Sequence, residues 1–242
     1  MHRCCRTSYF VLLMVTSVTG LAVWAADQAD NRTRPLARVL ILGDSISIGY
    51  TPYVREELKG EAIVVRPTRP NGRPENCQGT TYALKHLDRW LAIDGGNWDV
   101  IHFNFGLHDL KRVDPTTGRS SNDPSDPRQA EPDVYARQLE TIVRRLKKTG
   151  AELVFATTTP VPPGGVRPHR DVEDPARYNA IAVAIMKRHG VAVNDLYAEA
   201  LPRLREIQRP VNVHFTPEGY RFLAKKVAEA IRKALKKRAH HH

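Results

Sequence analysis

Residues Arg38-Val39-Leu40-Ile41-Leu42-Gly43-Asp44-Ser45-Ile46-Ser47 decide the fold of this chain. The apolar run from Val39 to Leu42 is unbroken and stops at Gly43-Asp44-Ser45. An unbroken apolar strand fits a parallel sheet that is covered on both faces. A serine just beyond it stands where open α/β sheets place their ligands. Outward from 38–43, further candidate strands lie at 61–66, 98–105, 151–157 and 191–194. Helical patterns fall between and after them, at 51–59, 80–93, 133–149, 175–189 and 217–237. The alternation predicts an α/β protein: a three-layer α/β/α fold around a mostly parallel, five-stranded, flavodoxin-like sheet. The last helix opens at Thr216-Pro217-Glu218, an N-cap followed by a first-turn proline. Phe222, Leu223, Val227, Ile231 and Leu235 would share its inner face.

The chain has 242 residues, 41% of them hydrophobic, enough for one good core. Residues 1–26 read as a signal peptide. Arg3 and Arg6 are its basic start, Tyr9 to Trp24 its apolar stretch, and Ala25-Ala26 its small-residue cleavage site. Residues 27–37 form a polar tether, and 38–238 a single α/β domain. The chain is expected to be exported, to the periplasm or outside the cell, with no stable membrane insertion after cleavage. Removal of the leader takes Cys4 and Cys5, so Cys77 is left with no partner for an intramolecular disulfide. No Cys/His cluster has zinc spacing, and no metal or organic cofactor is expected. The formal charge is +11, but Lys and Arg are spread along helices, as in Lys225-Lys226 and Lys236-Lys237-Arg238. No basic motif interleaved with aromatics points to specific nucleic-acid binding. The sequence does not address oligomeric state. The terminal His240-His241-His242 run is left out of the fold reading.

A hydroxyl is a weak nucleophile and needs a base within hydrogen-bond reach. His214, in Val213-His214-Phe215-Thr216-Pro217-Glu218-Gly219-Tyr220 just before the last helix, is the candidate. Two long polar loops, 110–132 and 158–174, follow strand ends and are candidate walls of a cleft.

Gly43-Asp44-Ser45-Ile46-Ser47 resembles the first block of the SGNH (GDSL-type) hydrolases, and the early serine and late histidine match the family's order. The resemblance covers most of 38–237. It implies a serine ester hydrolase working through an acyl-enzyme on Ser45, with His214 as base. The family's oxyanion hole is built from the serine N–H, a second-block glycine N–H and a third-block asparagine. Carried over, these are Ser45, Gly79 in Asn76-Cys77-Gln78-Gly79, and His108, which stands at the asparagine position in Gly106-Leu107-His108-Asp109. An imidazole N–H donates as an amide does.

The last block also departs from the family. Val211 stands where an aspartate is usual, three residues before His214, and Asn212 is the nearest polar neighbour. Three outcomes are open. Asn212 or a main-chain carbonyl holds His214; a carboxylate such as Asp171, Asp195 or Glu218 swings in; or the site is weakened. Arg73, Asp109 and His169 are candidate substrate contacts, as are Arg66, Arg69 and Arg170. The implied substrate is a small-molecule or glycan ester, with a short O-acyl group on carbohydrate leading. A catalytically weak binding module and a lipase or lysophospholipase are the alternatives. The few apolar residues in 110–132 speak against a greasy cleft rim.

Overall fold

The computed structural model describes Met1 and residues 35–240. The stretch read as a signal peptide, Met1 apart, and most of the expected tether therefore lie outside the described residues. Five strands form one sheet: β1 (Ala37–Leu42), β2 (Ala62–Val65), β3 (Val100–Phe103), β4 (Glu152–Ala156) and β5 (Ala192–Asn194). Their order is β2-β1-β3-β4-β5, and every pairing is parallel. All five expected strands are present. The sheet is wholly parallel, and its central strands explain why. Val39 to Leu42 and Val100 to Phe103 are buried throughout, so both faces are covered.

Among the described residues seven α-helices accompany the sheet: α1 (Ser45–Glu57), α2 (Thr80–Leu91), α3 (Pro132–Lys147), α4 (Asp174–His189), α5 (Leu196–Ala200), α6 (Leu204–Ile207) and α7 (Pro217–Ala239). Helices α1 and α7 pack together over one face, while α2, α3 and α4 pack in sequence over the other. The inner stripe of α7 is Leu223, Ala224, Val227, Ala228, Ile231 and Ala234. The expected Phe222 and Leu235 are only partly buried at its margin. Alanines let the helix lie close to its neighbours. One contact fixes the two site-bearing helices. A Cβ on Gly49 of α1 would lie 2.2 Å from the Tyr220 ring of α7, so only glycine fits.

Helix α1 begins at Ser45, not near residue 51 as its pattern suggested. Pro52 lies inside the helix. It is exposed, so its ring meets solvent rather than the packed face of the helix. The true start is set by Asp44, whose Oδ1 accepts from Ile46 N at 2.9 Å. Helices α5 and α6 escaped the sequence reading because each is too short to show a helical period.

The two long loops are bound to one another. Arg112 N donates to His169 O, and His169 N donates to Ser121 O, each at 3.0 Å. Arg112 pairs with Asp171, and Arg128 pairs with Asp171 at 2.9 Å and Asp174 at 2.6 Å. Loop 110–132 and loop 158–174 thus form one platform beside the carboxyl ends of β3 and β4.

Candidate active site

Strand order reverses between β1 and β3, and both end at the same edge. Asn104 N donates to Leu42 O at 3.0 Å, tying the strand ends together. Asn104 Nδ2 donates to Ala156 O at 2.7 Å, extending the tie to β4. Ser45 leaves this edge as the first residue of α1, where backbone N–H groups lack intrahelical partners. The turn below it is held by Arg66. That guanidinium, 4% exposed, donates to Gly43 O, Glu75 O, Ser47 Oγ and Thr51 Oγ1 at 2.9–3.3 Å. Arg66 is therefore an internal brace for the serine turn, not a substrate contact. It also explains the polar Ser47 and Thr51 on the buried face of α1.

His214 arrives on a tight reversal. Gln208 pairs with Phe215 in an antiparallel bridge, and Arg209 N donates to His214 O at 3.0 Å. At the tip Val211 takes φ +49°, a strained value for a β-branched residue. The reversal lets Asn212 fold over its own backbone. Its Oδ1 accepts from His214 N at 2.9 Å and meets His214 Nδ1 at 2.8 Å. The backbone N–H can only donate, so the atom facing it is the amide oxygen. The same oxygen requires a proton on Nδ1. Nε2 is then the lone-pair nitrogen, and it lies 2.9 Å from Ser45 Oγ. Burial, then Arg209 and Arg170, hold His214 below the ordinary histidine range, so it is neutral near pH 7.

The carboxylates weighed as third partners are engaged elsewhere or exposed. Asp171 serves the loop platform, Asp195 caps α5 and accepts from Thr157 Oγ1 at 2.9 Å, and Glu218 is exposed in the first turn of α7. The serine, histidine and asparagine form a hydrogen-bonded line.

Gly79 caps α2. A Cβ there would lie 2.7 Å from Asp109 Oδ2, so the position requires glycine. Asp109 is the reason. It is fully buried, and its Oδ1 accepts from Thr80 N at 2.8 Å and from Thr80 Oγ1 at 2.5 Å. Asp109 therefore does not face substrate; it anchors the start of α2 behind Gly79. Burial pushes its carboxyl up to about 7 against those hydrogen bonds. Neither Ser45 N–H nor Gly79 N–H has a protein acceptor among the described residues.

His108 is partly buried, and burial, reinforced by Lys111, Arg170 and His214, pushes its pKa down to about 3. The ring is neutral. Its Nδ1 is sealed from solvent and has no partner. A buried bare lone pair costs less than a buried orphan N–H, which places the proton on Nε2.

The other candidates sit differently. Arg73 is exposed, and no hydrogen bond joins it to Ser45 or His214. His169 Nε2 is committed to Asp171 Oδ1 at 3.0 Å, within the loop platform. Cys77 is buried, its thiol pushed up to about 12 by desolvation, and its N–H donates to Gly43 O at 3.1 Å. Among the described residues no group of three or more His, Cys, Asp or Glu side chains is placed to hold a metal ion, and no helix is long and apolar enough to cross a membrane. Sequence reasoning passed over two basic groups near the pair, Lys111 entirely and Arg170 in part. Both read as ordinary loop charges.

A family model described as GDSL-like Lipase/Acylhydrolase matches residues 41–222. The chain belongs to that family. It is an ester hydrolase of the SGNH/GDSL superfamily. A lipase/acylhydrolase from Enterococcus faecalis has a similar fold, at 20% identity and TM-score 0.63, covering 82% of this chain and 96% of that one. The acetyl xylan esterase AlAXEase is 16% identical at TM-score 0.62, with 80% and 99% covered. A catalytic mutant of Axe2, an acetylxylan esterase from Geobacillus stearothermophilus, is 16% identical at TM-score 0.62, with 81% and 94% covered. A search of the curated proteins finds no match.

Proposed function

We propose that this hydrolase cleaves short-acyl esters of carbohydrates, O-acetyl groups above all, through an acyl-enzyme on Ser45. The contact that carries the reading is Ser45 Oγ to His214 Nε2 at 2.9 Å, with Asn212 fixing the tautomer. His214 takes the serine proton as Oγ attacks the carbonyl carbon. It returns the proton to the departing alcohol, then activates water to cleave the acyl-enzyme. The oxyanion is received by Ser45 N–H, Gly79 N–H and His108 Nε2–H. In this role His108 stands in for the family's asparagine as a neutral donor. Asn212 orients the imidazole as a carboxylate would, but brings no charge to the imidazolium.

The polar platform of 110–132 and 158–174 supports a sugar rather than a long acyl chain beside this centre. Two of the similar folds belong to acetyl xylan esterases, in keeping with a short acyl group. The leader-like residues 1–26 support export, where glycans are met. The test compares wild type with Ser45→Ala on p-nitrophenyl acetate and on acetylated xylo-oligosaccharide. The reading expects hydrolysis of both by wild type and a loss of about 10³-fold or more in the variant. Equal rates from the two proteins would refute it.

A further inference from the structure

The platform contains two cations that it does not neutralise. Arg112 and Arg128 are ion-paired with Asp171, and Arg128 also with Asp174. Lys111 and Arg170 have no carboxylate within salt-bridge distance among the described residues. The backbone sets them side by side. The hydrogen bond from Arg112 N to His169 O is flanked by Lys111 on one strand of the platform and Arg170 on the other. Arg170 is only 6% exposed. Its Nε donates to Leu107 O at 2.8 Å and its Nη1 to Pro168 O at 3.1 Å. Those bonds fix the guanidinium next to His108. Its Nη2 has no protein partner and is not sealed from solvent, and the same holds for Lys111 Nζ.

The nearest acids, Asp44 toward Arg170 and Asp109 toward Lys111, attract this charge through space but neither is in salt-bridge contact with it. Asp44 and Asp109 are buried to within 1% exposure and hold the N–H groups of Ile46 and Thr80. Arg170 acts on His108 and His214 alike, and Lys111 on His108, so the pair lies within electrostatic reach of the reacting centre. Arg209 adds a third positive charge beside His214. Two desolvated cations without a counter-ion in contact are costly unless an incoming group completes them.

We propose that Lys111 Nζ and Arg170 Nη2 form an anion subsite that takes the carboxylate of an acidic sugar, which makes the substrate an ester on a uronate-containing glycan. The inference rests on the carbohydrate-esterase reading above and names its substrate class. A carboxylate fits better than a sulfate or phosphate group. The Arg170 fork is already occupied by two carbonyls, so a single free edge and one ammonium remain, enough for two coplanar oxygens.

The test separates binding from hydrolysis. Ser45→Ala protein is titrated by calorimetry with oligogalacturonate and with a neutral xylo-oligosaccharide of equal length. The uronate is expected to bind at least tenfold tighter, with the preference shrinking as salt rises. Lys111→Met in the same background should remove most of that preference, and Lys111→Arg should keep it. Equal binding of the two glycans, or a preference untouched by Lys111→Met, would overturn the subsite. So would inorganic sulfate binding as tightly as oligogalacturonate, which would mark a site for free anions. Wild type is then assayed on the acetylated forms of both glycans. Hydrolysis of both at equal kcat/KM removes the uronate assignment and leaves the esterase. A binding preference without hydrolysis of either glycan keeps the subsite and removes the carbohydrate-esterase reading.

Discussion

Replacing Asn212 by alanine removes one oxygen that serves two donors, His214 N at 2.9 Å and Nδ1 at 2.8 Å. The ground-state cost is about one neutral hydrogen bond, on the order of 1 kcal/mol. The transition state loses more, because the ring is then an imidazolium and its hydrogen bond is charge-assisted, worth about 1.5–3 kcal/mol. kcat/KM reads the difference, about 0.5–2 kcal/mol, so at 1.36 kcal/mol per decade it should fall about 2- to 30-fold. The fall should be smaller than the roughly 10⁴ seen when a triad aspartate becomes asparagine, because that change enforces the wrong tautomer and alanine does not. Asn212→Asp makes the opposite case. A carboxylate in the same place accepts from both donors and adds the missing charge. It should raise kcat/KM at alkaline pH and move the acid limb of the pH–rate profile upward, because a neighbouring anion raises a histidine pKa. In wild type that limb should lie below the ordinary histidine value, since burial, Arg209 and Arg170 all disfavour the charged ring. The assay is p-nitrophenyl acetate hydrolysis from pH 4 to 9. An Asn212→Ala enzyme within twofold of wild type would show that Asn212 does not position His214.

Two further predictions concern the support behind the oxyanion donors. Gly79→Ala should lower Tm by several degrees and kcat/KM together. Its Cβ meets an Asp109 carboxyl that Thr80 holds in place, an overpacking clash of about 1–3 kcal/mol, read by thermal unfolding and by the ester assay. Asp109 should make stability depend on pH. Its folded pKa of about 7 lies above the ordinary 3.8, so the native state keeps a proton that the unfolded chain releases, and its contribution is lost as pH rises from about 4 to about 7. Asp109→Asn should flatten that decline in urea unfolding. An unchanged decline would place its origin in another group.

The sheet was legible because unbroken apolar runs such as Val39 to Leu42 have one good home, a strand covered on both sides. The two ends of the site were legible too: Ser45 follows the first such run, and His214 precedes the capped helix at Thr216-Pro217. What connects them was not. The hold of Asn212 on His214 depends on a positive φ at Val211, which nothing in the residue types announces. Pro52 lies inside α1, where a proline usually interrupts a helix, and its exposed position there is a matter of tertiary structure. Arg66, Asp109 and Arg170 read as loop or motif charges. Their roles come from being folded inward against carbonyls and N–H groups far away in sequence.

The central claim is that Ser45 is the nucleophile made reactive by the hydrogen-bonded line through His214 to Asn212. The most direct measurement is peptide mass spectrometry after treatment with a fluorophosphonate. The account predicts a single adduct on Ser45 in the wild-type protein, and none at that position when His214 is replaced by alanine. An adduct confined to any other residue, or a Ser45 left unmodified while the protein hydrolyses esters, would contradict it.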